Sequence, residues 1–86
     1  ENLEFLKNVV SETYLIKKNS HLIGLTLKRL NLRSKTGATI IAIKRNGEFI
    51  VNPPANFSFK ENDILIIIGT EDQLNKALAF LENPFS

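Results

Sequence analysis

The chain has 86 residues, of which 43% are hydrophobic and 23% charged, and its 11 basic and 9 acidic side chains leave a net charge of +2. A chain of this length forms one small domain that buries about 60–65% of its unfolded surface, so a partner chain would add stability. The net charge is too small to indicate nucleic acid or an anionic membrane as the partner. Without Cys and with a single His, the chain excludes disulfides, Cys-ligated zinc and a two-His metal site.

Neither a membrane span nor a catalytic motif is visible in the sequence. No apolar run reaches the length of about 20 residues that crosses a bilayer, and no signal peptide is visible, so action at a membrane would pass through another polypeptide. The four glycines are isolated and form neither a dinucleotide-binding motif nor a phosphate-binding loop. We therefore expect no enzyme, no cofactor and no metal site.

The first part of the chain predicts an N-terminal segment followed by one strand. Apolar side chains recur at helical spacing over residues 1–11, which we interpret as a helix docked on the domain or as a linker from a preceding domain. Residues 12–86 are expected to form a single domain. Its first strand is predicted over Glu12–Lys17, where apolar and polar side chains alternate.

A short helix is predicted next, within the run His21–Leu32. Gly24 disfavours a helix through its own position, so the helix should begin after it. Either Thr26 or Ser20 supplies an N-cap side chain for a helix of about two turns. We interpret Arg33–Gly37 as a loop.

A β-hairpin forms the centre of the predicted domain. Its strands are Thr39–Arg45 and Glu48–Asn52, and the turn Asn46-Gly47 suits the positive φ that a two-residue loop requires. Such a loop fixes the register. One side pairs Arg45 with Glu48, Ile43 with Ile50, and Ile41 with Asn52. The other side pairs Lys44 with Phe49, Ala42 with Val51, and Ile40 with Pro53.

Both sides of this hairpin carry apolar side chains near its base. A hairpin with one face in water should be apolar on one side only. We therefore expect two covers, one supplied by the core of the domain and the other by something else. An identical copy in a two-fold dimer would serve as the second cover.

Further elements follow the hairpin. Pro53 and Pro54 stop its ladder, and Phe57–Phe59 predicts a short bridge. The apolar run Ile64–Ile68 predicts a central strand buried on both faces. A capping box and an apolar stripe then predict an amphipathic helix that ends at Asn83-Pro84. The capping box is Thr70 with Gln73, and the stripe is Leu74, Ala77, Leu78 and Leu81.

The predicted fold class is α+β. It comprises a small, mostly antiparallel sheet of four to five strands, a short α-helix after the first strand, and the amphipathic C-terminal helix.

A candidate binding surface lies on the hairpin. In the predicted register one face carries an apolar floor with a few directed polar groups, the usual make-up of a small-molecule site. The guanidinium of Arg45 suits phosphate and the amide of Asn52 suits a polar edge. The other members of this face are Ile41, Ile43 and Ile50, with Pro53 beside its base. The alternative is that the face buries against an identical copy, and the two are compatible if a ligand sits in the dimer cleft.

Nucleic acid is not favoured as a partner. Two basic clusters are present, at positions 28–35 and at Lys44-Arg45, but the aromatic side chains that would stack on bases are scattered. We expect no nucleic acid.

Residues 13–81 resemble the TrkA-C domain, also called the RCK C-terminal domain. The matched features are, in order, Gly24, Leu27, Leu30-Asn31-Leu32, Gly37, the strand Ile41-Ala42-Ile43-x-Arg45, Gly47, Asn52-Pro53, Asp63-Ile64-Leu65 and Gly69-Thr70. One departure is Asn62, where the family usually has Gly. The nucleotide-binding TrkA-N half is missing from this sequence, which suggests an excised fragment or a stand-alone copy.

The resemblance implies a regulatory function on the cytoplasmic side of a membrane. Such domains accompany potassium channels, Ktr/Trk-type transporters, cation–proton antiporters and other permeases, and they dimerise and respond to a small ligand. In several members the ligand is cyclic di-AMP, held in the dimer cleft. The positions this implies here are Ile40, Ile41, Ile43, Arg45, Ile50, Asn52 and Pro53. The alternative is a dimerisation module of a permease or antiporter without a nucleotide ligand.

Overall fold

A computed structural model describes residues 8–84 of the chain. These residues form a four-stranded antiparallel sheet with strand order β1-β4-β2-β3, so that β4 and β2 are central and β1 and β3 lie at the edges. The elements in chain order are β1 (Val10–Leu15), α1 (Leu27–Leu30), α2 (Leu32–Thr36), β2 (Thr39–Arg45), β3 (Glu48–Val51), β4 (Ile64–Gly69) and α3 (Glu71–Glu82). The predicted α+β class is confirmed.

The first strand starts and ends two residues earlier than predicted. β1 covers Val10–Leu15 rather than Glu12–Lys17, because its antiparallel pairing with β4 runs from Val10 opposite Gly69 to Leu15 opposite Ile64. Val10 and Ser11 are therefore strand residues. Positions 1–7 of the predicted N-terminal segment lie outside the described residues.

The hairpin turn and its register are confirmed. Asn46 and Gly47 have φ values of 52° and 82°, the left-handed backbone that a two-residue turn needs. The four pairs observed between β2 and β3 run from Arg45 opposite Glu48 to Ala42 opposite Val51. Positive φ then recurs at Asn52 (52°), where the chain leaves the sheet.

A β-bulge in β2 overturns part of the predicted face assignment. Against β4, Ile40 lies opposite Ile67 but Ala42 lies opposite Ile66, so Ile41 is an extra residue without its own partner. The bulge shifts the alternation by one residue. Ile40 therefore lies on the same buried face as Ile43, and the prediction that Ile41 shares a face with Ile43 is wrong.

Strand β4 is central, as predicted, but its two faces differ in burial. Leu65 and Ile67 are fully buried in the core. Ile64, Ile66 and Ile68, on the opposite face, are only half-buried. The prediction of a strand buried on both faces is therefore wrong for the second face, which has no helix packed over it among the described residues.

The predicted short helix is two helices joined at Asn31. Thr26 caps α1 by accepting a hydrogen bond from the N–H of Arg29 at 3.1 Å. Asn31 adopts left-handed backbone (φ 54°) and separates α1 from α2, which ends at Gly37 (φ 85°). The loop predicted over Arg33–Gly37 is therefore wrong, because most of it forms α2.

The C-terminal helix and its capping box are confirmed. The hydroxyl of Thr70 accepts from the N–H of Gln73 at 3.1 Å, and the amide oxygen of Gln73 accepts from the N–H of Thr70 at 2.9 Å. Of the predicted stripe, Leu74, Ala77 and Leu81 are buried against the sheet, whereas Leu78 is half-buried. The helices thus cover one face of the sheet.

Candidate functional site

The hairpin is attached to the turn before β4 by an ion pair between Arg45 and Asp63. The Nε of Arg45 donates to Oδ1 of Asp63 at 2.8 Å, and its Nη2 donates to Oδ2 at 2.7 Å. Nη2 also donates to the carbonyl of Ser58 at 2.9 Å, and the guanidinium lies 4.5 Å from the centre of the Phe57 ring. Such a two-point contact fixes the side chain in position.

The Asp63 carboxylate is 1% exposed and stays ionised because it is so well bonded. Burial alone would raise its pKa, but the hydrogen bonds from Arg45 and from the N–H of Lys60 (2.8 Å) hold the pKa below its usual range. The hydrogen bond to Asp63 likewise raises the pKa of Arg45. The pair therefore keeps both charges at neutral pH.

The seven predicted site residues do not share one surface. Ile43 is fully buried in the core, and the guanidinium of Arg45 is bonded to Asp63 with 22% of its side chain exposed. Ile41 is exposed at the bulge, and Asn52 is exposed at the end of the hairpin. The remaining three, Ile40, Ile50 and Pro53, are half-buried.

Two of the predicted residues meet in a groove at the base of the hairpin. Ile40 and Pro53 line a cavity of about 380 Å³ between the sheet and the helix pair α1–α2. We call it the edge groove. Its other walls include Leu27, Lys28, Leu32 and Arg33. The cavity thus combines apolar walls with two cationic side chains, which suits a ligand with flat apolar groups and phosphates.

The helix residues of the edge groove were missed by the analysis of the hairpin alone. Lys28 and Arg33 belong to the basic cluster at positions 28–35, which the sequence shows but does not connect with the hairpin. Their place in that cluster was the available indication in the sequence. Only the packing of α1 and α2 beside β2 brings them together.

The face of the sheet opposite the helices is apolar and open. We call it the outer face; its apolar members are Leu15, Ala42, Phe49, Val51, Ile64, Ile66 and Ile68, and Lys44 lies among them, opposite Phe49 and Ile64. Val51 is 74% exposed, Phe49 59% and Leu15 46%. Contiguous apolar surface of this kind marks an interaction site in a small domain. The second cover expected for the hairpin would lie here.

Two kinds of feature are missing from residues 8–84. No helix in this range is long and apolar enough to cross a membrane. The same range holds no group of three or more His, Cys, Asp or Glu side chains placed to bind a metal ion.

Several curated relatives of the chain are potassium transport proteins. Over 80 residues, 93% of this chain, it is 39% identical to a probable potassium channel protein 2 of Methanocaldococcus jannaschii. Over 61 residues, 71% of this chain, it is 44% identical to the Ktr system potassium uptake protein C of Bacillus subtilis. The matched regions are 22% and 28% of those relatives, so the chain spans about a quarter of their length.

Similar solved structures include two bound to cyclic di-AMP. The KtrA RCK C domain in complex with cyclic diadenosine monophosphate matches with a TM-score of 0.72 at 34% identity, covering 86% of this chain and 85% of that one. The RCK_C domain dimer of S. agalactiae BusR in complex with c-di-AMP matches with a TM-score of 0.73 at 28% identity, covering 83% and 93%.

BusR also bears on the expectation that nucleic acid is not a partner. BusR in complex with its busAB promoter DNA matches at 28% identity with a TM-score of 0.73, and the match covers 83% of this chain and 35% of that one. The expectation is therefore not confirmed. The family model for the TrkA-C domain matches residues 12–82, nearly the whole chain. The chain therefore belongs to the TrkA-C domain family.

Proposed function

We propose that this domain is the ligand-sensing regulatory part of a potassium or other cation transport protein, acting on the cytoplasmic side of the membrane. This proposal rests on the similarity to RCK C-terminal domains that bind cyclic di-AMP. The similarity covers more than four fifths of the chain. The curated relatives support potassium as the transported ion.

The ligand proposed is cyclic di-AMP, bound at the edge groove and along the base of the hairpin. Ile40 and Pro53 supply apolar contacts for the bases, and Lys28 and Arg33 supply positive charge for the phosphates. Asn52 offers its exposed amide to a base edge or a phosphate. The first four of these residues line the groove, whereas Asn52 precedes the lining residue Pro53 in the chain.

The remaining predicted residues fall into two groups. Ile41 and Ile50, which keep accessible surface beside Asn52, would extend the apolar contact. Ile43 and Arg45 would act as positioning residues, because one is enclosed in the core and the other is bonded to Asp63. Together they hold β2 and the hairpin in the shape that the ligand meets.

A homodimer is proposed as the active form, with the outer face as its interface. Burying side chains as exposed as Val51 and Phe49 against a second copy removes apolar surface from water. Val51 lies on the outer face and Pro53 lines the edge groove two residues later. The edge groove lies on the helix side of the sheet, so a ligand there would act through the shape of the hairpin, and it would favour one dimer geometry over another.

The competing function is a dimerisation module without a nucleotide ligand. The exposed apolar outer face favours it, because that face needs a cover whether or not a ligand binds. The two functions share the dimer and differ only in the response to cyclic di-AMP.

Calorimetric titration of the purified domain with cyclic di-AMP tests the ligand, with cyclic di-GMP as the control. We expect saturable heat with cyclic di-AMP only. If the protein is dimeric by light scattering but gives no heat at protein concentrations of tens of micromolar, the dimerisation module without a nucleotide ligand is the supported function. A monomer that binds cyclic di-AMP would retain the ligand and remove the dimer.

A further inference from the structure

A second groove lies between the helix pair α1–α2 and the end of α3. We call it the basic groove, and its volume is about 820 Å³. Lys28, Arg29 and Lys35 line it from the helix pair, and Phe80 and Pro84 line it from the end of α3. Lys28 is shared with the edge groove, whereas Lys35, Phe80 and Pro84 line only the basic groove.

The charged side chains among the described residues that line this groove are all basic. Positions 13–47 contain no Asp or Glu, but they carry eight basic side chains: Lys17, Lys18, Lys28, Arg29, Arg33, Lys35, Lys44 and Arg45. Half of these eight fall within positions 28–35, on α1 and α2. The net charge of +2 hides this asymmetry, because all nine acidic residues lie before position 13 or after position 47.

The acidic residues of α3 do not line the groove. Glu71 and Asp72 lie in its first turn, about 12 Å along the helix axis from Phe80. Glu82, in the last turn, accepts a hydrogen bond from the hydroxyl of Tyr14 on β1. None of the described residues that line the groove is acidic. A groove whose charged lining residues are all cations attracts an anion.

The apolar side of the groove and its size indicate which class of anion would fit: a small molecule that carries a flat ring as well as negative charge. Phe80 is half-buried, and Leu30 and Pro84, which also line the groove, are buried. A volume of about 820 Å³ lies within the range of roughly 300–1,000 Å³ typical of small-molecule sites. A flat ring against Phe80 would be covered on one side, while phosphates reach the lysines.

We propose that the basic groove binds a phosphorylated small molecule of nucleotide size, with its phosphates at Lys28 and Lys35 and its ring beside Phe80. The site adjoins the edge groove and shares Lys28 and Asn31 with it, but it does not depend on the proposed function. It would give the domain a second ligand in addition to cyclic di-AMP.

Calorimetric titration at low ionic strength, on the order of 50 mM, tests this site with three small molecules and a single-stranded oligonucleotide. ATP without magnesium offers phosphates and a ring, tripolyphosphate offers phosphates only, and adenosine offers a ring only. We expect ATP to bind most tightly, tripolyphosphate more weakly and adenosine not measurably. Millimolar or weaker binding of ATP would overturn the proposal, and so would tighter binding of a single-stranded oligonucleotide than of ATP.

Two variants locate the site, and one matched variant controls for net charge. Lys28→Gln with Lys35→Gln should weaken ATP binding about two- to fivefold per lysine, and Phe80→Leu should lower ATP affinity to that of tripolyphosphate. Lys17→Gln with Lys18→Gln removes the same charge outside the groove and should have a smaller effect. Equal losses in the two double variants would overturn the proposal.

Cyclic di-AMP separates the two proposals. Lys35→Gln alone should weaken ATP binding and leave cyclic di-AMP affinity unchanged, because Lys35 lines only the basic groove. If the domain binds ATP through Lys35 but gives no heat with cyclic di-AMP, the basic groove is supported as a site. The same result would contradict cyclic di-AMP as the ligand in the proposed function. Loss of both affinities in Lys35→Gln would overturn the second site, provided that the thermal midpoint is unchanged.

Discussion

Arg45 and Asp63 are joined by two hydrogen bonds, of 2.8 and 2.7 Å, that tie the hairpin to the turn before β4. The carboxylate is enclosed, whereas the guanidinium keeps 22% of its side-chain surface. Because removing one partner of a buried pair leaves an uncompensated charge, this contact should matter more to stability than an ion pair on the surface.

Arg45→Ala should lower the free energy of unfolding by about 3–5 kcal/mol, the usual cost of leaving a buried carboxylate unpaired. Urea denaturation of the domain measures this change. The control is Lys76→Ala, which removes the exposed contact of 3.5 Å to Asp72 and should change stability by about 0.5 kcal/mol or less. Equal effects of the two substitutions would show that the pair at Asp63 contributes no more than a surface pair.

The pH dependence of stability should reveal the lowered pKa of Asp63. Its pKa in the folded protein is held below the value of about 3.9 that it has in an unfolded chain. A carboxylate with a lowered pKa stabilises the fold fully above that unfolded value, and the contribution is lost as pH falls through the folded pKa. Stability should therefore fall as the pH is lowered below about 4.

Denaturation of the wild type and of Asp63→Asn from pH 6 to pH 2 measures that contribution. We expect the substituted protein to be less stable at pH 6 and to show a shallower fall in stability on acidification. The other carboxylates supply the slope that remains. Parallel curves would mean that Asp63 does not have the lowered pKa.

The local elements were predictable from the sequence because short-range chemistry determines them. Asn46-Gly47 requires a turn with positive φ, and Thr70 with Gln73 closes a capping box. The break between α1 and α2 at Asn31 was harder to predict from the sequence than these two features. Asn adopts left-handed backbone readily, but whether a helix continues through it depends on what packs above and below.

The bulge and the grooves depend on distant parts of the chain. Ile40 and Ile41 carry the same side chain, so no local feature indicates which of them leaves the ladder with β4. The pairing of Arg45 with a residue 18 positions later, and the meeting of Lys28 with Pro53, arise only when the elements pack. For that reason the individual contacts around the hairpin could not be predicted from the sequence.

Asn52 allows a test of the ligand site that separates side chain from backbone. Its φ of 52° is the left-handed conformation, which Gly adopts without strain and Ala does not. Asn52→Gly should therefore keep the fold while removing the amide. If that amide contacts the ligand, calorimetry should show cyclic di-AMP affinity about fivefold to tenfold weaker.

Asn46→Gly is the matched control for this substitution, since Asn46 has the same φ of 52° at the hairpin tip. It should leave the affinity unchanged. Equal affinity of Asn52→Gly and the wild type, with unchanged thermal midpoints, would remove Asn52 from the ligand contacts.

The outer face leads to a prediction about assembly. Val51 is 74% exposed on that face, so Val51→Lys should change the stability of an isolated domain by about 0.5 kcal/mol or less. In a dimer formed through the outer face, the same lysines would be buried against apolar side chains, which is strongly unfavourable without a partner charge. Light scattering over a dilution series should therefore show the variant as a monomer at concentrations where the wild type is a dimer.

Asn75→Lys, an exposed change on α3, is the control and should remain dimeric. A dimer that survives Val51→Lys at wild-type concentrations would place the interface away from the outer face.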